Sequence, residues 1–191
     1  MNHTLLESAI MEKYKVKAID SLEKLSIEYL CQCFDIHVEY VSEESKALIG
    51  EDFSVIYINN NQSLKKQRAD FFHEFIHVLQ HFGDQRNGSY LLKEQQEQQS
   101  YWGSLYASIP LHILNKYLPA EVAELSDIFQ IPEEMVRERL AQIKRKELFV
   151  ISQKAIMEKQ TAYRTKSNDR KHWSAETCRL LNQLKEQLKK K

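Results

Sequence analysis

The stretch from Gln67 to Gln85 reads "QRADFFHEFIHVLQHFGDQ" and places two histidines and a glutamate in an otherwise apolar segment. Its polar residues recur at spacings of three and four, which puts them on one face of a helix. They are Asp70, His73, Glu74, His77, His81 and Asp84. Most of the remaining circumference is apolar, so the pattern predicts a buried helix from about Leu64 to Phe82, ending at Gly83.

A buried imidazole or carboxylate needs a partner, because burying an unpaired polar group costs a few kcal/mol. The motif "HEFIH" matches H-E-x-x-H, in which two histidines one turn apart bind zinc and the glutamate stands beside them. His73 and His77 are therefore candidate zinc ligands. Three-ligand zinc keeps a position for water, whose pKa falls to about 7, and Glu74 is the candidate base for that water. The alternative is that surface histidines share a face without a metal.

A third ligand is expected from the next helix, within "KEQQEQQSYWGSLYASIP". A glutamate on the following helix would complete the His-His-Glu set of thermolysin-like zinc sites. Glu94 and Glu97 both qualify, and their spacing does not choose between them.

The rest of the chain predicts a helix, a small sheet and then more helices, an order typical of an α+β fold with an antiparallel or mixed three-stranded sheet. "IHVEYV" alternates in polarity, as a half-buried strand does, and "SVIYIN" is apolar on both faces, as a central strand is. The predicted elements are a helix over Ser21–Phe34, strands at 36–41, 46–50 and 54–59, and helical segments at 91–107, 111–117, 120–129, 133–146 and 173–188.

Composition indicates a single domain, or one domain with a small appendage, because the chain has 191 residues, of which 42% are hydrophobic. The sequence contains no run of about 18 apolar residues, so no membrane span is expected. The first 20 residues lack the apolar core of a signal peptide, and Cys31, Cys33 and Cys178 are expected to be reduced thiols. A cytoplasmic location is therefore expected.

Charge is balanced overall, with 27 basic and 27 acidic residues, but residues 151–191 hold 11 Lys and Arg against 4 Asp and Glu. Such a basic tail is either a solvated helix or a surface for nucleic acid or an acidic partner.

The chain resembles the ImmA/IrrE family of zinc metallopeptidases, in which an apolar strand ending in Asn precedes an Arg and then H-E-x-x-H. Here these features are "VIYIN" ending at Asn59, then Arg68, then "HEFIHVLQH". The family continues with E-x-x-A-N-x-F-A-x-x-L-L-x-P, which "EQQSYWGSLYASIP" resembles. The resemblance covers residues 20–145, is strongest over 55–110, and implies that Glu97 rather than Glu94 is the third zinc ligand.

Three departures from the family pattern lie close to these ligands. The family often has Leu-Gly where this chain has Phe75 and Ile76, and Phe where it has Gly103. Ser100 and Tyr101 replace Ala-Asn, so Tyr101 stands where related peptidases orient the second histidine. Tyr101 and His81 are candidates for contacts behind the ligands or to the transition state. The candidates for stabilising the oxyanion are Tyr90, Tyr101, Tyr106 and His112.

We expect residues 1–118 to form a zincin-like core of N-terminal helix, small sheet, H-E-x-x-H helix and glutamate helix. Residues 119–146 resemble a helix–turn–helix, and residues 147–191 are a basic helical tail. DNA contact by 119–146 is weakly supported. Arg137 and Arg139 stand beside three acidic side chains, which would repel phosphates: Glu133, Glu134 and Glu138. A packing or substrate-positioning role is favoured.

The resemblance implies a zinc endopeptidase whose protein substrate is a helix–turn–helix repressor of a mobile element or stress regulon. An extended substrate would pair with the edge of the small sheet. The alternative is a non-catalytic regulator that binds a repressor or DNA stoichiometrically, with the metal structural or absent. The sequence leaves the oligomeric state open.

Overall fold

The structure is a computed structural model that describes residues 4–80, 90–167 and 174–188. The described residues as far as Lys144 form one compact unit, and those from Arg145 onward form another. In chain order the elements are α1 (Leu5–Val16), a 3-10 turn (Glu23–Leu25), α2 (Ile27–Phe34), β1 (Ile36–Val41), β2 (Lys46–Ile49), β3 (Ser54–Asn59), α3 (Leu64–Gln80), α4 (Tyr90–Ser108), α5 (Leu111–Leu114), α6 (Val122–Phe129), α7 (Glu133–Ser167) and α8 (Ala175–Leu188).

The sheet is mixed, and its strand order is β1-β3-β2. β3 pairs in parallel with β1, with Ile36 opposite Ser54, and antiparallel with β2, with Lys46 opposite Tyr57. The predicted α+β fold and the central place of β3 are confirmed. Ile56 and Ile58 of β3 are fully buried, which explains why this strand is apolar along its length.

α3 is the apolar centre of the first unit. Phe71, Phe72, Phe75 and Ile76 are all 0% exposed. The ring of Phe75 meets the ring of Phe34 edge-on, with centroids 5.1 Å apart, so α3 packs against the end of α2. The prediction of a buried helix is confirmed, whereas its predicted end at Phe82–Gly83 lies outside the described residues.

Two predicted helix boundaries are wrong. The helix expected over Ser21–Phe34 is broken at Ser26, whose hydroxyl accepts the backbone N–H of Tyr29 at 3.2 Å and starts α2 as an N-cap. The helix expected to stop near Lys146 continues to Ser167, because no glycine or proline interrupts residues 133–167. Local capping and the absence of breakers therefore decided these boundaries, not apolar periodicity.

Two further observations concern the described residues: the hydrophobicity of their helices and the state of their cysteines. None of these helices is both long and apolar enough to cross a membrane. Cys31, Cys33 and Cys178 are free thiols. Burial raises the pKa of Cys31 to about 11, so this thiol stays protonated near neutral pH.

A buried ion pair ties the start of α7 to α1. Arg139 Nη2 lies 2.5 Å from Glu7 Oε1, and the two side chains are 1% and 2% exposed. Arg139 Nε also donates to the carbonyl of Ile109 at 3.1 Å, and its guanidinium lies over the ring of Tyr106. Arg139, which the sequence places on a recognition-like helix, is therefore inaccessible to DNA.

Removing one partner of this pair should strongly destabilise the first unit. We expect Glu7→Gln to lower the free energy of unfolding by about 3–5 kcal/mol, because it leaves a buried guanidinium without a counter-charge. Urea unfolding followed by circular dichroism measures the loss. The double variant Glu7→Leu, Arg139→Met should lose less than Glu7→Gln alone, and a double variant that is less stable would contradict the interpretation.

Candidate metal centre

The two histidines of the motif share one face of α3, because they are four residues apart. Their ring centroids are 4.9 Å apart, and the Nε2 atoms of His73 and His77 face each other at 3.2 Å. The His77 side chain is buried, at 7% exposure, whereas that of His73 is 30% exposed. The pair therefore runs from the buried His77 to the more exposed His73.

Glu97 of α4 completes the cluster. Its Oε2 lies 3.1 Å from His73 Nε2, and its Oε1 lies 3.4 Å from His77 Nε2. Glu94 is exposed and is not part of this group, which among the described residues is the only set of His, Cys, Asp and Glu side chains close enough to hold a metal ion. The structure thus brings together the three residues predicted as ligands, although their roles stay a prediction.

The spacing between neighbouring donor atoms of the cluster fits a small tetrahedral cation. Ligand atoms about 2.1 Å from a common tetrahedral centre lie about 3.4 Å from one another. The observed separations are 3.2 Å between the two Nε2 atoms, 3.1 Å from His73 Nε2 to Glu97 Oε2 and 3.4 Å from His77 Nε2 to Glu97 Oε1, so both carboxylate oxygens take part. A single proton on His73 Nε2 cannot satisfy both neighbours, since one N–H points along one direction. A cation between the two ring nitrogens and the Glu97 carboxylate would satisfy all of them, so this donor set fits a metal such as zinc.

Glu74 is held in a low-polarity environment beside this cluster. The pKa of its carboxyl group is raised to about 7, chiefly by burial and to a smaller extent by the nearby carboxylates of Glu97 and Asp70. A hydrogen bond with the backbone of Ala47, on β2, acts in the opposite direction. A bound cation would also favour the ionised form. A carboxyl group with a pKa near neutrality can both accept and return a proton.

Comparison with known proteins agrees with this geometry. A family model described as Peptidase_M78 (IrrE N-terminal-like domain) matches residues 31–141, more than half of the chain. The chain belongs to the IrrE N-terminal-like peptidase family. The predicted resemblance is therefore confirmed.

Two similar proteins come from Bacillus subtilis (strain 168). "Uncharacterized protein YqaB" is 25% identical over 141 residues, which cover 71% of this chain and 82% of that protein. "Phage-like element PBSX protein XkdA" is 25% identical over 156 residues, which cover 79% of each chain. The similarity therefore extends over most of each relative.

Two polar residues of the motif region anchor α3 to its surroundings. Arg68 Nε donates to the carbonyl of Phe129 at 2.9 Å, and Arg68 Nη2 donates to that of Leu25 at 2.7 Å. Asp70 accepts the Ser45 hydroxyl at 3.0 Å, and Ser45 in turn accepts the backbone N–H of Asn59. The sequence analysis missed Ser45 and Ala47, because only the pairing of β2 with β3 brings them to α3.

The candidates for transition-state contacts fall into different environments. Tyr101 lies one turn beyond Glu97 and is 45% exposed. Tyr106 is buried beneath Arg139, and His112 Nε2 is 2.9 Å from the carbonyl of Ile19. His81 and the side chain of Tyr90 lie outside the described residues. Of the described candidates, Tyr101 combines exposure with the face of α4 that carries Glu97.

Gly103 and Ile76 form a complementary contact between α4 and α3. A Cβ atom at Gly103 would lie 2.7 Å from Ile76 Cγ2 and 3.0 Å from its Cγ1. Where the IrrE-like family pattern has a small residue on α3 and a large one on α4, this chain has the reverse. The exchange keeps the two helices close, which holds Glu97 within reach of both histidines.

Gly103→Ala should therefore push α4 away from α3. We expect a loss of about 1–3 kcal/mol in the free energy of unfolding, in spite of the better helix propensity of alanine. In an Ile76→Ala background, which removes the atoms that clash, the same substitution should cost nothing or stabilise the protein. Urea unfolding of the four proteins measures this coupling, and additive effects would contradict it.

The metal ligands are tested by elemental analysis of the purified protein. We expect one zinc per chain in the wild type and none in His77→Ala or Glu97→Ala, because each variant removes one of three donors. Glu94→Ala is the matched control, since it removes a glutamate one turn away on the same helix. Zinc loss in Glu94→Ala with retention in Glu97→Ala would contradict the assignment.

Proposed function

We propose that this protein is a zinc-dependent endopeptidase. The observation that carries the proposal is the convergence of His73, His77 and Glu97, whose neighbouring donor atoms are 3.1–3.4 Å apart, with the half-buried side chain of Glu74 beside them. Membership of a peptidase family supports the same conclusion.

In this proposal His73, His77 and Glu97 hold the zinc ion. The chemistry that zinc supplies when bound is to polarise a carbonyl group and to lower the pKa of water to about 7. Glu74 accepts the proton that the attacking water loses and returns it to the nitrogen of the leaving amine. Burial raises the pKa of this carboxyl group, which helps it to hold the proton between the two transfers.

The substrate that we propose is a helix–turn–helix repressor of a mobile element or stress regulon, encoded beside this protein and cleaved in the cytoplasm. The name of XkdA associates that relative with a phage-like element, which supports the choice. β2 is an edge strand of the three-stranded sheet, and the backbone of Ala47 on this strand forms a hydrogen bond with Glu74. An extended substrate segment paired with β2 would therefore lie beside Glu74.

Glu74→Gln separates catalysis from binding. We expect this variant to keep its zinc and its affinity for the repressor but to cleave about 10²–10⁴-fold more slowly, because glutamine cannot accept a proton. Cleavage of the purified repressor is followed by electrophoresis and mass spectrometry, with Glu94→Gln as the matched control.

Cleavage by Glu74→Gln at the wild-type rate would refute Glu74 as the base. A zinc-loaded wild type that binds the repressor without cleaving it would instead favour the non-catalytic regulator.

A further inference from the structure

Three serines on the buried face of α4 differ in what their hydroxyl groups do. Ser100, Ser104 and Ser108 are 0%, 3% and 0% exposed. Ser104 Oγ donates to the carbonyl of Tyr101 at 2.8 Å, and Ser108 Oγ donates to that of Ser104 at 2.7 Å. Ser100 Oγ is buried and has no hydrogen-bond partner within the described part of the chain. A hydroxyl kept in such a place costs stability, which calls for an explanation.

Ser100 faces the turn of α3 that carries the two histidines. It lies one turn after Glu97 and one turn before Gly103, so the three residues share one side of α4. Glu97 contacts His73 and His77, and Gly103 lies against Ile76. Ser100, between these two contacts, is therefore directed at residues 73–77.

The buried polar ring on that turn is His77. Its Nε2 points at His73 Nε2 and Glu97 Oε1, at 3.2 and 3.4 Å, so its Nδ1 points away from the donor cluster. A histidine that binds metal through one ring nitrogen carries a proton on the other and donates it to a fixed acceptor. A hydroxyl oxygen that is not bonded to its own helix can be that acceptor.

We propose that Ser100 is a positioning residue for the metal centre. Its hydroxyl oxygen accepts the Nδ1 proton of His77 when His77 Nε2 holds the metal, and this fixes the tautomer and the orientation of the ring. The inference rests on the proposed zinc site. Tyr101, the sequence-based candidate for orienting the second histidine, is 45% exposed and its ring packs against Trp102, so the role moves by one residue to the buried face.

Ser100→Ala and Ser104→Ala form a matched pair, since both remove a buried hydroxyl from the same helix. We expect Ser100→Ala to weaken zinc binding about ten-fold or more, measured by competition with a chelator. The melting temperature of its zinc-free form should equal or exceed that of the wild type, because an unpartnered hydroxyl is removed. Ser104→Ala should bind zinc as the wild type does and melt at a lower temperature.

A second measurement follows the imidazole proton itself. In zinc-loaded wild type the His77 Nδ1–H should give an NMR signal protected from solvent exchange, and in Ser100→Ala that proton should exchange faster. Unchanged zinc affinity, unchanged exchange, or an equal loss of affinity in Ser104→Ala would each overturn the inference. A wild type that binds no zinc would instead refute the metal site itself.

Discussion

The close contact between α3 and α4 is the constraint on which the candidate metal centre depends. His73 and His77 stand on one helix and Glu97 on the other, and their donor atoms are 3.1–3.4 Å apart. A displacement of about 1 Å between the helices would ruin that spacing for a tetrahedral metal. Gly103 allows Ile76 to enter the interface, so the packing of these two residues sets the distance between Glu97 and the histidines.

Specific partners explain why polar groups persist in the most apolar part of the protein. Four fully buried side chains anchor α3 in the core. The polar side chains on its other face are stabilised by hydrogen-bond and ion-pair partners. Asp70 is held by Ser45 and Lys66, and Arg68 by the carbonyls of Leu25 and Phe129. A metal ion would bind the donor cluster, and the hydroxyl of Ser100 would then accept the Nδ1 proton of His77.

The helices that follow the core, α6 and the start of α7, pack against it through ion pairs. Arg139 buries its charge against Glu7, and Lys65 on α3 pairs with Asp127 on α6 at 2.6 Å. Arg139, which a helix–turn–helix would offer to DNA, is thus used to join α7 to α1, and Asp127 joins α6 to α3. The favoured packing role of this segment agrees with these contacts, and its contribution to partner binding stays a prediction.

The sequence by itself determined whatever depends on neighbours along the chain. The 3.6-residue period put His73 and His77 on one face, and two-residue alternation and apolar runs located the three strands. The spacing of Glu94 and Glu97 did not choose between them; the resemblance favoured Glu97, and the packing of α4 on α3 brings Glu97, one turn further along, to the histidines. Tertiary structure also brought Ser45 and Ala47 to α3, because strand pairing joins residues far apart in the chain. Local periodicity specifies a face, and only packing specifies what that face meets.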